Sequence, residues 1–356
     1  MARKKSFHLL LILSLILLLG ACSKHIHQVQ IDEVVLYPSP PDTARIQFLT
    51  RYGNSTDLTG GQSKFKSFVV GPKAPIPIVK PYGIAIQNNK IFIADPGIAG
   101  LQIINLDKET FESFTPGGRG TFKLPLNCFV DPEGYVYVAD AGRKQIVIFN
   151  ETLDYTGEIG GDKDFRPVDV FLAGDTILVT DPDNNRVRAY SKKSHELLFT
   201  FPENVQAGDK DWLYNPINIW VNQENIFITD FGHSSIKIFS HDGSYLRSIG
   251  SYGKGLGQFA RPKGIAVDKK QNLFVVDAGF QNVQVFNNAG ELLMFFGGPY
   301  KGPGDMYLPA NVTIDYDHLQ YYEKFVAPEF KLEYLIFVTN QYGPDKVSVY
   351  GRVEPR

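Results

Sequence analysis

Short apolar runs recur along this chain in six pairs, each opened by a proline and all but the last closed by an aspartate. Pro81-Tyr-Gly-Ile-Ala-Ile is followed by Ile91-Phe-Ile-Ala-Asp95, and Pro125-Leu-Asn-Cys-Phe-Val by Val136-Tyr-Val-Ala-Asp140. Pro167-Val-Asp-Val-Phe-Leu leads to Ile177-Leu-Val-Thr-Asp181, and Pro216-Ile-Asn-Ile-Trp-Val to Ile226-Phe-Ile-Thr-Asp230. Pro262-Lys-Gly-Ile-Ala-Val precedes Leu273-Phe-Val-Val-Asp277. A sixth pair, opened by Pro309-Ala-Asn-Val-Thr-Ile, ends at Leu335-Ile-Phe-Val-Thr-Asn340 after an insertion. Runs so dense in Val, Ile and Phe suit strands covered on both faces. A third run in each unit alternates apolar with polar, as in Gln145-Ile-Val-Ile-Phe149 and Ser235-Ile-Lys-Ile-Phe239. After a turn such as Asp242-Gly243 comes an outer run, Tyr245-Leu-Arg-Ser-Ile-Gly250. Four strands per unit follow from this pattern.

The opening prolines stand 44, 42, 49, 46 and 47 residues apart. A β-rich unit with that period predicts the blades of a propeller, and the count predicts six. Length alone would suggest about two domains; the repeat predicts one, over residues 45–353, with a short tail at 354–356. The fifth unit reads Pro-x-Gly-Ile-Ala-Val-Asp268, Leu-Phe-Val-Val-Asp277, Val-Gln-Val-Phe286 and Gly290-Glu-Leu-Leu-Met-Phe-Phe-Gly297. It resembles an NHL repeat, and the resemblance extends over nearly all of 45–353. The fold class it implies is all-β, a six-bladed β-propeller of NHL-type repeats. Asp169 and Asn311 stand where the first-strand glycine is usual, a departure expected to alter only the tightness of the turn. The last unit stops after Lys346-Val-Ser-Val-Tyr350, while Arg45-Ile-Gln-Phe-Leu-Thr-Arg51 looks like an outer strand without a unit. The N-terminal strand is therefore expected to complete the last blade and close the ring.

Two segments exceed the repeat. Asn54 to Lys80 joins an outer strand to an inner one, and Asp315 to Phe330 carries Tyr316, His318, Tyr321 and Tyr322 between the first two strands of the last unit. Long loops in a compact domain are often functional, and these two are expected on opposite faces.

The N-terminus changes the picture of where the propeller works. Arg3, Lys4 and Lys5 precede an apolar run from Leu9 to Leu19 that only Ser14 interrupts. The run is short for a membrane span and has the layout of an export signal over residues 1–21. Leu19-Gly20-Ala21-Cys22 is similar to the lipobox of bacterial lipoproteins. That resemblance implies cleavage before Cys22 and palmitate-type acyl chains on it. It also implies a lipid-anchored envelope protein, with Ser23 leaning toward the outer membrane. Residues 22–44, with Pro38-Ser-Pro-Pro41, would be the tether. Cys128 is then the one remaining cysteine and is expected to be buried. The whole chain carries a net charge of −2, and removal of the three N-terminal cations makes it more acidic. A mildly acidic chain without a basic run is not a nucleic-acid binder. A monomeric propeller is the expected state.

The chemistry is less legible. Asp95, Asp140, Asp181, Asp230 and Asp277 are expected to cap their own turns rather than to ring a channel, because they repeat in every blade. No Cys-x-x-Cys-His, Gly-x-Ser-x-Gly or phosphate-binding Gly-rich loop with Lys occurs. The candidate ligand surface is the face bearing the loops before each first strand and after each second one. Its candidate ligand-binding residues are Lys80, Arg143, Arg166, Asn184, Trp212, Tyr214, His233, Arg261 and Phe280, which vary between units and are rich in Arg and aromatic groups. The expected function is a noncatalytic binding or scaffold module for a protein, peptide or glycan, with no resident cofactor. The alternative is a Ca- or Zn-dependent lyase or lactonase at the channel mouth, since some NHL-related propellers are such enzymes. It requires His233, Arg143 or Arg166 to gather with carboxylates.

Overall fold

The computed structural model describes residues 34–59 and 74–356. The export signal, Cys22 and the first part of the tether lie outside the described residues. Among the described residues no helix is long and apolar enough to cross a membrane.

Six antiparallel sheets form the ring, and helix is almost absent. Blade 1 is β3 (Ile84–Gln87), β4 (Lys90–Asp95), β5 (Gly100–Asn105) and β6 (Thr110–Phe114). Blade 2 is β7 (Pro125–Val130) to β10 (Tyr155–Gly160), and blade 3 is β11 (Val170–Ala173) to β14 (Leu197–Phe201). Blade 4 runs from β15 (Pro216–Val221) to β18 (Tyr245–Ile249), and blade 5 from β19 (Pro262–Val267) to β22 (Leu292–Gly297). The last blade joins the two ends of the chain. Its order is β1 (Leu36–Tyr37), β2 (Ile46–Tyr52), β25 (Val347–Pro355), β24 (Phe330–Asn340) and β23 (Pro309–Asp315). The N-terminal strand thus completes the blade as the pattern predicts, with Phe48 opposite Tyr350.

Blade 6 differs from expectation at both margins. β1 adds a fifth strand from within the segment expected to be tether, pairing Leu36 with Gln47 and Tyr37 with Ile46. Tyr37 packs against Phe296 and Tyr350, and its hydroxyl donates to Gly304 O at 2.7 Å. At the other end, β25 absorbs most of the expected tail by pairing with β24 from Thr339 out to Phe330.

Apolar side chains from facing blades form six buried clusters, one between each neighbouring pair. This is why the first two runs of every unit are apolar on both faces: each inner strand packs against a blade on either side. Cys128 is buried in the cluster between blades 1 and 2, where burial pushes its thiol up to about 12. It is a packing residue.

The insertion between β23 and β24 is a seam rather than a free loop. The His318 imidazole accepts from Asn89 N of blade 1 and holds Asp315 through its other nitrogen. Tyr321 donates to Asp107 of blade 1, and Tyr322 meets Tyr52 hydroxyl to hydroxyl at 2.9 Å. Gln47 exchanges hydrogen bonds with the backbone at Phe325 and Ala327. His318 and Tyr321 bridge the joint between the last and first blades, while Tyr322 and Gln47 tie the insertion to β2 of its own blade.

Candidate binding site at the channel mouth

The aspartates that end the second strands are fully buried, and each grips its own blade's entry loop. Asp277 accepts from the backbone N–H groups of Ala260, Arg261, Gly279 and Phe280 at 2.7–3.1 Å. Asp95 does the same for Val79, Lys80 and Gly97, and Asp140 for Lys123, Leu124 and Arg143. Asp181 takes Arg166 N with the Arg188 and Asn184 side chains, and Asp230 takes Tyr214 N with His233 and Lys237. Asn340, in the sixth place, accepts from Tyr307 N. A carboxylate holding several N–H donors has little left for a ligand. The row is therefore a set of latches, in agreement with its repetition.

The latches fix the face on which the first strands begin. In blades 2, 4, 5 and 6 the register slips just after the proline, between Pro125 and Asn127, Pro216 and Asn218, Pro262 and Ile265, and Pro309 and Asn311. Such bulges re-aim side chains. The first residue after each proline lines the mouth of the channel, and the second forms its neck.

The neck is tight and polar. A Cβ on Gly83 would lie 2.0 Å from Asn127 Oδ1, and one on Gly264 would lie 2.4 Å from Asn311 Cα. The glycine at this position is thus required by the approach of the next blade, not by turn tightness as the sequence suggested; neither glycine has a positive φ. Across the space above Gly83, Asn311 Nδ2 donates to Asn127 Oδ1 at 3.3 Å. On the other side Asp169 accepts from Val170 N, Ile219 N and Asn218 Nδ2. Burial lifts the Asp169 carboxyl to about 7 against those donors. The Oδ1 of Asn218 is buried without a partner.

Above the neck stand Tyr82, Leu126, Val168, Ile217, Lys263 and Ala310. Five are apolar or aromatic; Lys263 is a cation. Its Nζ lies 5.3 Å from the centre of the Tyr82 ring, reaching over small Ala310 of the intervening blade. The residue is only 7% exposed, and among the described residues no carboxylate pairs with it. Burial, with Arg261 and Lys80 nearby, pushes its ammonium down to about 8. Burial raises the Tyr82 phenol to about 12, with Asp169 acting in the same direction and Arg166 and Arg261 opposing. Threonines of the preceding blades hold both backbones: Thr229 donates to Lys263 O and Thr339 to Tyr82 O, each at 2.6 Å. Lys80 stands 5.9 Å over Tyr342.

Of the residues singled out from sequence, Arg166 and Arg261 act electrostatically on Tyr82, and Arg261 and Lys80 on Lys263. Trp212 and Tyr214 stack at 5.3 Å with His233 against both, forming an aromatic group on the rim of blade 4. Arg143 is turned away: it holds Glu158, Gln145 and the carbonyls of Arg119 and Thr121. Asn184 donates to Asp181 and Asp164 O and serves the latch. Phe280 is half-buried, with its N–H on Asp277. Tyr82, Lys263, Asp169 and Asn218 were missed as site residues, although Lys263 is the one charge among the residues that directly follow the prolines.

The metal alternative finds no ligand set. His233 is paired with Asp230, Arg143 with Glu158 and Arg166 with Asp183, in three separate places. Among the described residues no group of three His, Cys, Asp or Glu side chains is placed to hold a metal ion.

A protein family described as 6-bladed beta-propeller matches residues 208–294. No protein of curated function matches in sequence. Among solved structures, a gluconolactonase from Xanthomonas campestris is similar at 15% identity and TM-score 0.54, covering 87% of this chain and 97% of that one. A protein of unknown function from Bacteroides thetaiotaomicron matches at 17% identity and TM-score 0.55, covering 79% and 71%. The virginiamycin B lyase of Staphylococcus aureus matches at 13% identity and TM-score 0.51, covering 78% and 85%. Likeness at such identity carries the fold and not the activity.

Proposed function

We propose that this chain is a noncatalytic binding propeller of the bacterial cell envelope, anchored through acylated Cys22, that takes an anionic ligand at its channel mouth. The observation that carries the reading is Lys263, a buried ammonium with no counter-ion among the described residues and under the charges of Arg261 and Lys80. A buried charge is costly unless it is paired, and a bound anion would supply the pair. The latch aspartates are saturated by their own blades, so the side chains left to meet a ligand are the mouth cations and aromatics.

Citrate and tripolyphosphate serve as simple anion probes. Either should raise the melting temperature of the wild type in a dose-dependent way, because a ligand selective for the native state stabilises it. The combined Lys80→Ala, Arg261→Ala, Lys263→Met variant should lose the shift. No shift in the wild type, or the same shift in the variant, would contradict the reading. The anchor is tested separately: labelled palmitate should enter the wild type and not Cys22→Ser. Label in both would remove Cys22 from that role.

A further inference from the structure

We infer that the occupant of the mouth is an acidic saccharide whose sugars carry carboxylates, an inference that rests on the anion-binding reading above. The argument comes from what flanks the cations. Arg261 and Lys263 belong to blade 5. On one side, blade 4 presents Tyr214, 50% exposed and stacked on Trp212 at an interplanar angle of 14°. On the other, blade 6 presents Tyr307 and Tyr342, 48% and 47% exposed, with ring centres 5.8 Å apart. Tyr214 and Tyr307 hold the same register, two residues before the prolines of their blades, and Arg261 stands one residue before its own. Beyond Tyr342 comes Lys80, above whose blade Tyr82 lies under Lys263. Blades 4, 5, 6 and 1 thus offer an arc of aromatic, cation, aromatic, cation.

Exposed aromatic side chains provide a flat apolar body beside a polar tip. That is the surface that covers the C–H face of a pyranose while its hydroxyls stay wet. Cations set between such platforms match a sugar that carries a carboxylate. A neutral saccharide would leave Lys263 buried and unpaired. A peptide bound by strand addition needs an open strand edge, and the mouth offers loop ends and side chains instead.

The test is calorimetric titration of the full-length, detergent-solubilised chain with trigalacturonate, its methyl ester and hexaglutamate. Trigalacturonate should bind, and the neutral ester at least about tenfold more weakly. Lys263→Met and Tyr214→Ala should each weaken trigalacturonate by about tenfold or more. Exposed Arg261→Ala gives a second cation variant should Lys263→Met fail to fold. Equal binding of acid and ester overturns the role of the carboxylates. Hexaglutamate binding as tightly, and insensitive to Tyr214→Ala, overturns the saccharide while the anion site stands. No trigalacturonate binding where citrate still stabilises overturns the saccharide alone; loss of both responses removes the mouth site as well.

Discussion

Two rings of residues sit on the same face of this propeller and differ in uniformity and in how their polar groups are satisfied. The latch ring is uniform, with Asp95, Asp140, Asp181, Asp230 and Asp277 fully buried and each satisfied by its own blade. The mouth ring is irregular, with Tyr82, Leu126, Val168, Ile217, Lys263 and Ala310 in equivalent places, and among the described residues no carboxylate pairs with its cation. What every blade repeats is frame. What one blade does alone, against the apolar character of its equivalents, is where a ligand would be recognised.

The sharpest way to break this contrast is to remove a latch. Asp277→Ala leaves four N–H donors without their acceptor and should cost about 3–5 kcal/mol, read as a lowered urea midpoint. A loss under about 1 kcal/mol would mean that the latches do not carry the frame. Gly83→Ala places a Cβ against Asn127, a backbone and side-chain contact that cannot swing aside. It should cost about 1–3 kcal/mol through overpacking at the neck. A neutral result in the same unfolding assay would show that the blades can spread.

A subtler effect is expected from Asp169→Asn. Asn127 and Asn311 already serve at this position in other blades, each accepting the next residue's N–H. The folded Asp169 carboxyl titrates near 7 instead of its ordinary 3.8, so the native state binds the proton more tightly than the unfolded chain. Its contribution is fully present below about pH 4 and is lost as pH rises through about 7. Stability of the wild type relative to Asp169→Asn should therefore fall over that window and level off above it. Parallel stability curves from pH 4 to 8 would contradict the assignment. The smallest effect belongs to Arg166→Ala. Its partner Asp183 is solvent-exposed, and an exposed ion pair contributes about 0–1 kcal/mol. A loss of several kcal/mol in unfolding would place Arg166 in the frame instead of at the rim.

The fold was legible because its physics repeats: proline start, apolar pair and aspartate latch recur six times, with Asn340 as the one substitute. Closure through Arg45–Arg51 was legible because an outer strand was missing at one end and spare at the other. The site was legible only in part. Arg143 and Asn184 varied between blades and so resembled ligand groups, yet their side chains fold back onto Glu158 and Asp181. Variation in a solvated turn does not say which way a long side chain reaches. Lys263 stands out by its charge but sits inside an apolar run, where a bulge, not alternation, decides what it faces. His318 read as a loop residue because nothing local reveals a contact with Asn89, a partner in the first blade.

The most direct test of the account is the pH dependence of trigalacturonate affinity, wild type beside Lys263→Met. The free Lys263 ammonium titrates near 8, below its ordinary 10.5, so its charge is complete under that pH and is lost above it. The account predicts tight binding at pH 6.5 that weakens as pH rises through about 8, with the variant weak and flat across the range. Equal affinity of the two proteins at both ends of that range would show that the mouth cation is only a packed lysine.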